Sequence, residues 1–304
     1  MGDKVTVLLP CYNEALTIAD TIRQMKQALP EASVIVFDNN SADGSGKIAA
    51  EAGAEVRRVT LQGKGNVVRR MFADVESDIY LMVDADTTYD PATAPALVNA
   101  IAAGADMAVA VRKGADNTFP PGHRFGNRLF NIIVARLFGS GMQDVFSGYR
   151  TFSRRFAKTF PAHSRGFEIE TELSVFTLEQ RLPFVEIDSH YGSRPSGSSS
   201  KLSTYKDGWR ILLTILLLYK DMKPMIFFGL IALASALLSL ILGIPIIDEW
   251  IKTGLVPRQP TAILSSALGI LAVLLLVAGM TLHGIAQSHR EMRHLFYLNN
   301  RQRK

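Results

Sequence analysis

Asp84 and Asp86 are the residues whose types and spacing most directly point to chemistry. They follow an apolar run, Ile79 to Val83, and stand one residue apart. Side chains of an extended segment alternate with a period of two, so both carboxylates point to the same side. Together they can hold a hard divalent cation such as Mg²⁺ or Mn²⁺. A cation there would bridge a diphosphate and stabilise charge developing on a leaving nucleotide. Turns and helix caps use the same residue types, so the pair alone decides nothing. Asp38 closes a second apolar run, Val34 to Phe37, and leads into Asn39-Asn40-Ser41-Ala42-Asp43-Gly44. It can accept hydrogen bonds from a nucleobase or ribose, or the segment can be a polar loop capping the next helix. Gln62 to Asn66 reads as a tight turn into a helix, or as Lys64 and backbone amides beside a phosphate.

These residues need a scaffold that brings them together. Val5–Leu9, Val34–Phe37, Glu55–Val59, Ile79–Val83 and Met107–Val111 read as strands. Ala15–Leu29, Ser45–Ala52, Asn66–Val75 and Thr93–Ala102 read as the helices between them. Such alternation implies an α/β domain with a mostly parallel sheet and helices on both faces. Ligands on open sheets of this kind sit beyond the carboxyl ends of strands. Asn13, Glu14, Asp38, Asp84, Asp86 and Arg112 all follow strand ends, so they are expected to converge on one edge.

The 304 residues divide by composition. Charged and apolar residues are mixed up to about Leu202, and long apolar runs begin beyond Ile211. Small residues Gly197 to Ser200 mark the change. Met225–Ile247 and Ile263–Ala286 contain no charged residue, and each is long enough to cross a hydrocarbon core of about 30 Å. Lys206, Arg210, Lys220 and Lys223 precede the first run; Arg290, Arg293, Arg301, Arg303 and Lys304 follow the second. By the positive-inside rule both termini and the soluble part face the cytoplasm, in a bacterial inner membrane if the source is bacterial. Trp209–Tyr219 is expected at the membrane surface. The expected division is a catalytic domain over 1–205, an interfacial helix over 206–222 and two membrane helices over 223–304 with a basic tail. A third, short span is the alternative for the interfacial segment. His283 falls inside the second apolar run, near its cytoplasmic end.

The single cysteine, Cys11, excludes an internal disulfide and a thiolate metal cluster. None of the six histidines has metal-ligand spacing. The net charge of +5 is modest and lies largely beside the apolar runs, which points to anionic lipid rather than nucleic acid. No signal peptide is expected, because Val5–Leu9 is too short for an h-region.

Together the segments resemble glycosyltransferase family two, with its GT-A fold. The landmarks are Pro10-Cys11-Tyr12-Asn13-Glu14, Asp38 to Ser45, Gly63-Lys64-Gly65 and Asp84-Ala85-Asp86. Asp144-Val145-Phe146-Ser147-Gly148-Tyr149-Arg150 is similar to a motif of the polyprenyl-phosphate branch, which includes dolichol-phosphate mannose synthases and undecaprenyl-phosphate sugar transferases. Gly166-Phe167-Glu168-Ile169-Glu170 and the stretch from Arg194 to Leu202 continue that likeness.

The resemblance implies that Pro10, Tyr12, Asn13, Glu14, Asp38 and Asn40 surround the nucleoside. It sets Asp84 and Ala85 against ribose and diphosphate and makes Asp86 the main metal ligand. Thr88 stands where some members carry a glutamine ligand, a departure from the pattern. Lys64, Arg112, Arg194 and Lys201 would meet phosphates, although Arg194 and Lys201 lie one residue further apart than the branch leads one to expect. Arg124, Arg128 and Arg150 are candidates to position the acceptor; for the first two a solvated helix face is an equal reading. Asp144 can be a base, orient an arginine or cap a turn. His123 and Cys11 carry no assigned role, and Gly114–Gly122 has the turn residues of a lid. The implied reaction is inverting transfer of a hexose or N-acetylhexosamine from a UDP- or GDP-sugar to undecaprenyl or dolichyl phosphate. The alternatives are a glycolipid or polysaccharide acceptor, or a scaffold that binds nucleotide-sugars without turnover. Whether the chain works as a homo-oligomer or with a flippase partner stays open.

Overall fold

The computed structural model describes residues 3–114, 121–139, 141–195 and 204–300, with side chains described except at 121–129 and 204–207. Lys201, the glycine-serine stretch and most of the expected lid therefore lie outside the described residues. The chain forms two compact units, one running to Ile215 and resuming at Arg293, the other Leu216–Met292.

The first unit is built on β1 (Val5–Cys11), β2 (Ser33–Asp38), β3 (Glu55–Arg58), β4 (Ile79–Met82), β5 (Met107–Lys113), β6 (Arg150–Ser153) and β7 (Phe184–His190). Their order across the sheet is β3-β2-β1-β4-β6-β5-β7. The β1–β2, β1–β4, β2–β3 and β5–β7 pairs are parallel, as the strand–helix alternation predicts. β6 is the exception and runs antiparallel to both β4 and β5. It is a four-residue strand without alternating polarity, buried throughout, so periodicity does not reveal it.

Between the strands run α1 (Ile18–Ala28), α2 (Ser45–Glu51), α3 (Lys64–Asp74), α4 (Ala94–Ala102), α5 (Pro121–Phe138), α6 (Arg154–Thr159) and α7 (Ile169–Glu179). The period-two alternation of β1 sends Val7, Leu9 and Cys11 into the cluster that also holds Ile18, Ile22 and Met25 of α1. The opposite face carries an aromatic core, in which Phe72 meets Tyr80 and Phe152 edge-on at 6.1 and 5.3 Å.

At the amino end of β5, away from the strand ends that carry the acidic motifs, Asp106 is wholly buried. It accepts from Ser153 Oγ at 2.6 Å, Arg155 Nε at 2.5 Å and Tyr297 Oη at 2.6 Å. The Arg155 guanidinium also lies 4.7 Å over the Tyr297 ring. Tyr297 thus joins the first unit through a charged hydrogen-bond network.

Three helices follow in the chain: α8 (Thr204–Met222), α9 (Pro224–Thr253) and α10 (Gln259–Asn299). On α8, Trp209, Leu213, Leu216 and Leu217 are exposed at helical spacing. In the second unit, α9 and α10 are the two helices, among the described residues, long and apolar enough to cross a membrane. Only 6% of the most apolar stretch of α9 and 17% of that of α10 is buried. A soluble core helix would hide such residues. Ser239 Oγ donates to Ser265 O at 2.7 Å and Ser265 Oγ returns a bond to Ser239 O at 2.9 Å, joining the two helices.

Replacing Asp106 by Ala leaves the Arg155 guanidinium, two hydroxyls and a buried gap without their acceptor. The expected loss is about 3 kcal/mol of stability, read by chemical denaturation.

Candidate active site

Register explains why the acidic residues meet. Cys11 pairs with Asp38 at the ends of β1 and β2, and Leu8 pairs with Met82, so Asp84 leaves the sheet beside Pro10. β6 reaches the same edge with its amino end: Arg150 pairs with Met82 on one side and Val109 on the other. The Asp144–Tyr149 loop is thereby delivered among the carboxyl ends of parallel strands. Backbone strain collects here too. Of five described non-glycine residues with positive φ, Asn13 (53°), Asn40 (60°) and Thr87 (58°) lie at this edge. For a β-branched residue such as Thr87 this conformation is costly.

The loops after β1 and β2 hold each other. Asn13 N donates to Ser41 Oγ at 3.0 Å, and Asn13 Oδ1 accepts from Ala42 N at 2.8 Å. Glu14 N donates to Ser45 Oγ at 2.9 Å, while Asp38 Oδ1 accepts from Ser41 N at 3.2 Å. Asn40 Nδ2 donates to Thr60 O at 2.6 Å. Asn13 and Asn40 therefore shape the loops, whereas Asp38 keeps a partly exposed carboxylate and Tyr12 an exposed ring. Pro10 lies in β1 opposite Phe37, and Ala85 is buried with its carbonyl accepting from Thr17 Oγ1 at 2.7 Å. Burial pushes the Cys11 thiol up to about 12, so it stays protonated beneath these loops.

Lys64 departs from the phosphate reading. Its side chain is buried, and the ammonium pairs with Asp84 Oδ1 and, at 2.5 Å, with Glu170 Oε1. Burial opposes its charge, but the two carboxylates outweigh that and hold its pKa above the ordinary lysine value. The flanking glycines serve a backbone crossing: a Cβ on Gly63 would overlap the carbonyl of Arg165, and one on Gly65 that of Ser164. Gly148 has a comparable cause, because a Cβ there would overlap the Asp84 carboxylate.

Asp86 is buried, with Oδ1 accepting from Thr88 Oγ1 at 2.5 Å and Oδ2 paired with Arg194 at 2.6 Å. Burial, then the nearby Asp84, raises its pKa against the pull of Arg194. Arg194 also reaches Glu14 Oε1 at 3.3 Å. Thr88 thus serves the Asp86 carboxylate directly.

Arg112 and Asp144 form a two-pronged pair, Nε–Oδ2 at 2.7 Å and NH2–Oδ1 at 2.8 Å. Burial works against the Asp144 charge, but Arg112 and the amides of Arg112 and Phe146 prevail and hold its carboxyl below the usual range. Such a group is a weak base; the geometry gives it the arginine-orienting and turn-capping roles. Arg150 is not brought to the cleft. It is wholly buried, donating to Ser147 O and Val145 O, both at 2.7 Å, and so it braces the loop that carries Asp144. Arg124, Arg128 and His123 fall in α5, with side chains outside the described residues.

Several contributors escaped the sequence reading. Glu186 Oε1 accepts from Gln143 N at 2.7 Å and Asp144 N at 3.2 Å, and Tyr89 Oη accepts from Gly148 N at 2.8 Å. Tyr191 lies 5.5 Å from the Arg112 guanidinium. Glu170 was met only within the Gly166–Glu170 likeness, without a role, and it is one of three alternating acids, Glu168, Glu170 and Glu172, entering a helix.

Among the described residues no three His, Cys, Asp or Glu are arranged to hold an ion unaided. That donor set still suits Mg²⁺ or Mn²⁺, since Mg²⁺ is commonly bound by one or two carboxylates together with substrate phosphates and water. Asp86, which already faces a cation, and Asp84 are the carboxylates that could hold it.

A family model described as Glycosyl transferase family 2 matches residues 6–160. Glycosyltransferase AglJ of Haloferax volcanii is 32% identical over 295 residues, 95% of this chain and 96% of its own length. An undecaprenyl-phosphate mannosyltransferase of Micrococcus luteus is 24% identical over 64% of this chain and 86% of its own. Among solved structures, glucosyl-3-phosphoglycerate synthase of Mycobacterium tuberculosis, in complex with Mn²⁺ and UDP, aligns with a TM-score of 0.59 at 21% identity, covering 71% of this chain and 80% of that one. The fold is therefore the GT-A-like one that the motifs led us to expect.

Gly148→Ala is expected to displace the Asp84 carboxylate and lower transfer about 100-fold in a rate assay. Arg112→Gln strands Asp144 and should cost about 3 kcal/mol at neutral pH. Because the folded pKa of Asp144 lies below the unfolded value of about 3.9, the pair's stability is complete above that pH. It is lost as pH falls through the folded value. Denaturation midpoints of the two proteins should accordingly differ most near neutrality and converge in strong acid.

Proposed function

Since the chain belongs to glycosyltransferase family 2, we propose that it moves a hexose or N-acetylhexosamine from a UDP- or GDP-sugar to a polyprenyl phosphate at a membrane surface. The observation that carries this reading is the buried, cation-facing Asp86 carboxylate at a sheet edge shared with Asp38, Asp84 and Glu14. Relatives named for polyprenyl-phosphate mannosyl transfer support the acceptor class.

In this reading the exposed Tyr12 ring offers a stacking face to the base, and Asp38 accepts from base or ribose. Asp86, with Asp84 nearby, would hold Mg²⁺ or Mn²⁺, which when bound would supply neutralisation of the charge on the departing nucleotide. Arg194, with 27% of its side chain open against 11% for Arg112 and 9% for Lys64, is assigned to phosphate oxygens. Lys201 and Arg124 are assigned to the same anionic ligands. A lipid monophosphate is already anionic near neutral pH, its second ionisation lying near 6. It attacks without strong general-base help, which accords with an Asp144 that stays ionised on Arg112. The course is a single displacement with inversion.

The apolar face of α8, with Trp209 and Leu213, is assigned to the bilayer interface, and α9 and α10 to its interior. Both termini and the catalytic unit are assigned to the cytoplasmic side, on the flanking lysines and arginines.

Purified full-length protein should be incubated with undecaprenyl or dolichyl phosphate, Mg²⁺ or Mn²⁺ and a panel of UDP- and GDP-sugars. One donor should yield a lipid-linked product, chelation should stop transfer, and added metal should restore it. Asp86→Ala should lower kcat about 1,000-fold. No product with either lipid, alongside transfer to a glycolipid, would replace the acceptor assignment.

A further inference from the structure

Lys64 and Gly148 meet one carboxylate, that of Asp84, and Glu170 meets Lys64, all from elements distant in sequence. Lys64 opens α3 and pairs with Asp84 Oδ1, while the Gly148 backbone lies against Oδ2. The carboxylate is therefore confined on both oxygens. Glu170, in the first turn of α7, holds the same ammonium from its other side at 2.5 Å. Exposure separates their roles: the Asp84 side chain keeps 27% of its surface open, against 9% for Lys64 and 6% for Glu170. A ligand in the cleft can touch Asp84; it has little access to the other two.

A buried ammonium with one carboxylate partner can follow that partner as it moves. Tied to a second, immobile carboxylate, it becomes a fixed post. Glu170 is suited to that part, because it sits on a helix whose residues 169–177 are all buried and its own side chain is closed in by them. The backbone of 164–165 closes over Gly63 and Gly65, so the α3 start cannot shift without meeting it. That strap is itself held by Glu172, whose carboxylate accepts from His163 N at 2.8 Å and Ser164 N at 2.7 Å. The first turn of α7 thus secures Lys64 twice, through the charge of Glu170 and through the backbone cover that Glu172 holds.

We propose that Glu170, acting through Lys64, is a positioning residue that fixes the Asp84 carboxylate for the nucleotide-sugar, with neither Glu170 nor Lys64 touching the substrate. This inference rests on the proposed function, in which Asp84 faces the donor.

A double-mutant cycle on the full-length protein tests it, using UDP and GDP with Mn²⁺ as calorimetric probes. Glu170→Gln should weaken binding of the preferred nucleotide about tenfold when Asp84 is present, and less than twofold in an Asp84→Asn background. Lys64→Arg, which can still bridge two carboxylates, should retain binding close to that of the unaltered protein. Lys64→Met should lose it to the same degree as Asp84→Asn. Equal effects of Glu170→Gln in both backgrounds, tracking a fall in melting temperature, would overturn the positioning role and leave the proposed function intact. If the unaltered protein binds neither nucleotide, both readings fall together.

Discussion

Lys64 is an ammonium removed from water and surrounded by two carboxylates, an arrangement that costs several kcal/mol in desolvation per charge unless the geometry is tight. Much of the catalytic unit's local architecture follows from keeping that geometry tight. Glycines at 63 and 65 let the backbone of 164–165 close against the start of α3, and a glycine at 148 lets a loop approach Asp84. Larger residues at any of the three would push the carboxylate or that backbone aside. The motif spacing is therefore set by close contact between chain segments as much as by any ligand.

The reversed strand β6 solves a related problem. A sheet of only parallel strands delivers loops to its functional edge by their carboxyl ends alone. By running the other way between β4 and β5, β6 brings the loop before it to that same edge. Arg150, buried at the start of β6, donates to two loop carbonyls, of which that of Val145 also accepts from Ser174 Oγ. Its charge is spent on architecture. Asp144 can then meet Arg112 two-pronged, with the pair shielded under Tyr191.

The second unit follows different rules. Its helices turn large apolar side chains outward, and the cohesion between them comes in part from small polar residues such as Ser239 and Ser265. In a hydrocarbon medium there is no penalty for exposed leucine, and hydrogen bonds between helices take on a larger share of specificity. The catalytic unit reverses this balance, with its apolar residues inside and charges at the rim.

The alternation of apolar runs with amphipathic segments was enough to determine the α/β class, and motif order was enough to indicate the GT-A fold and the edge where Asp38, Asp84 and Asp86 meet. The uncharged stretches revealed α9 and α10 for the same reason: these signals are local, carried by neighbouring residues along the chain. Tertiary structure decided the partners of each charge. Lys64 and Arg150 look in sequence like phosphate-binding cations, yet both are buried and bound by protein oxygens. Glu170 and Tyr191 showed no role until α7 and the pairing of β7 with β5 set them beside Lys64 and Arg112, roughly 105 and 80 positions away. Spacing tells where a side chain lies on its own element, but pairing depends on which elements the sheet order makes neighbours, and that is settled only when the core closes.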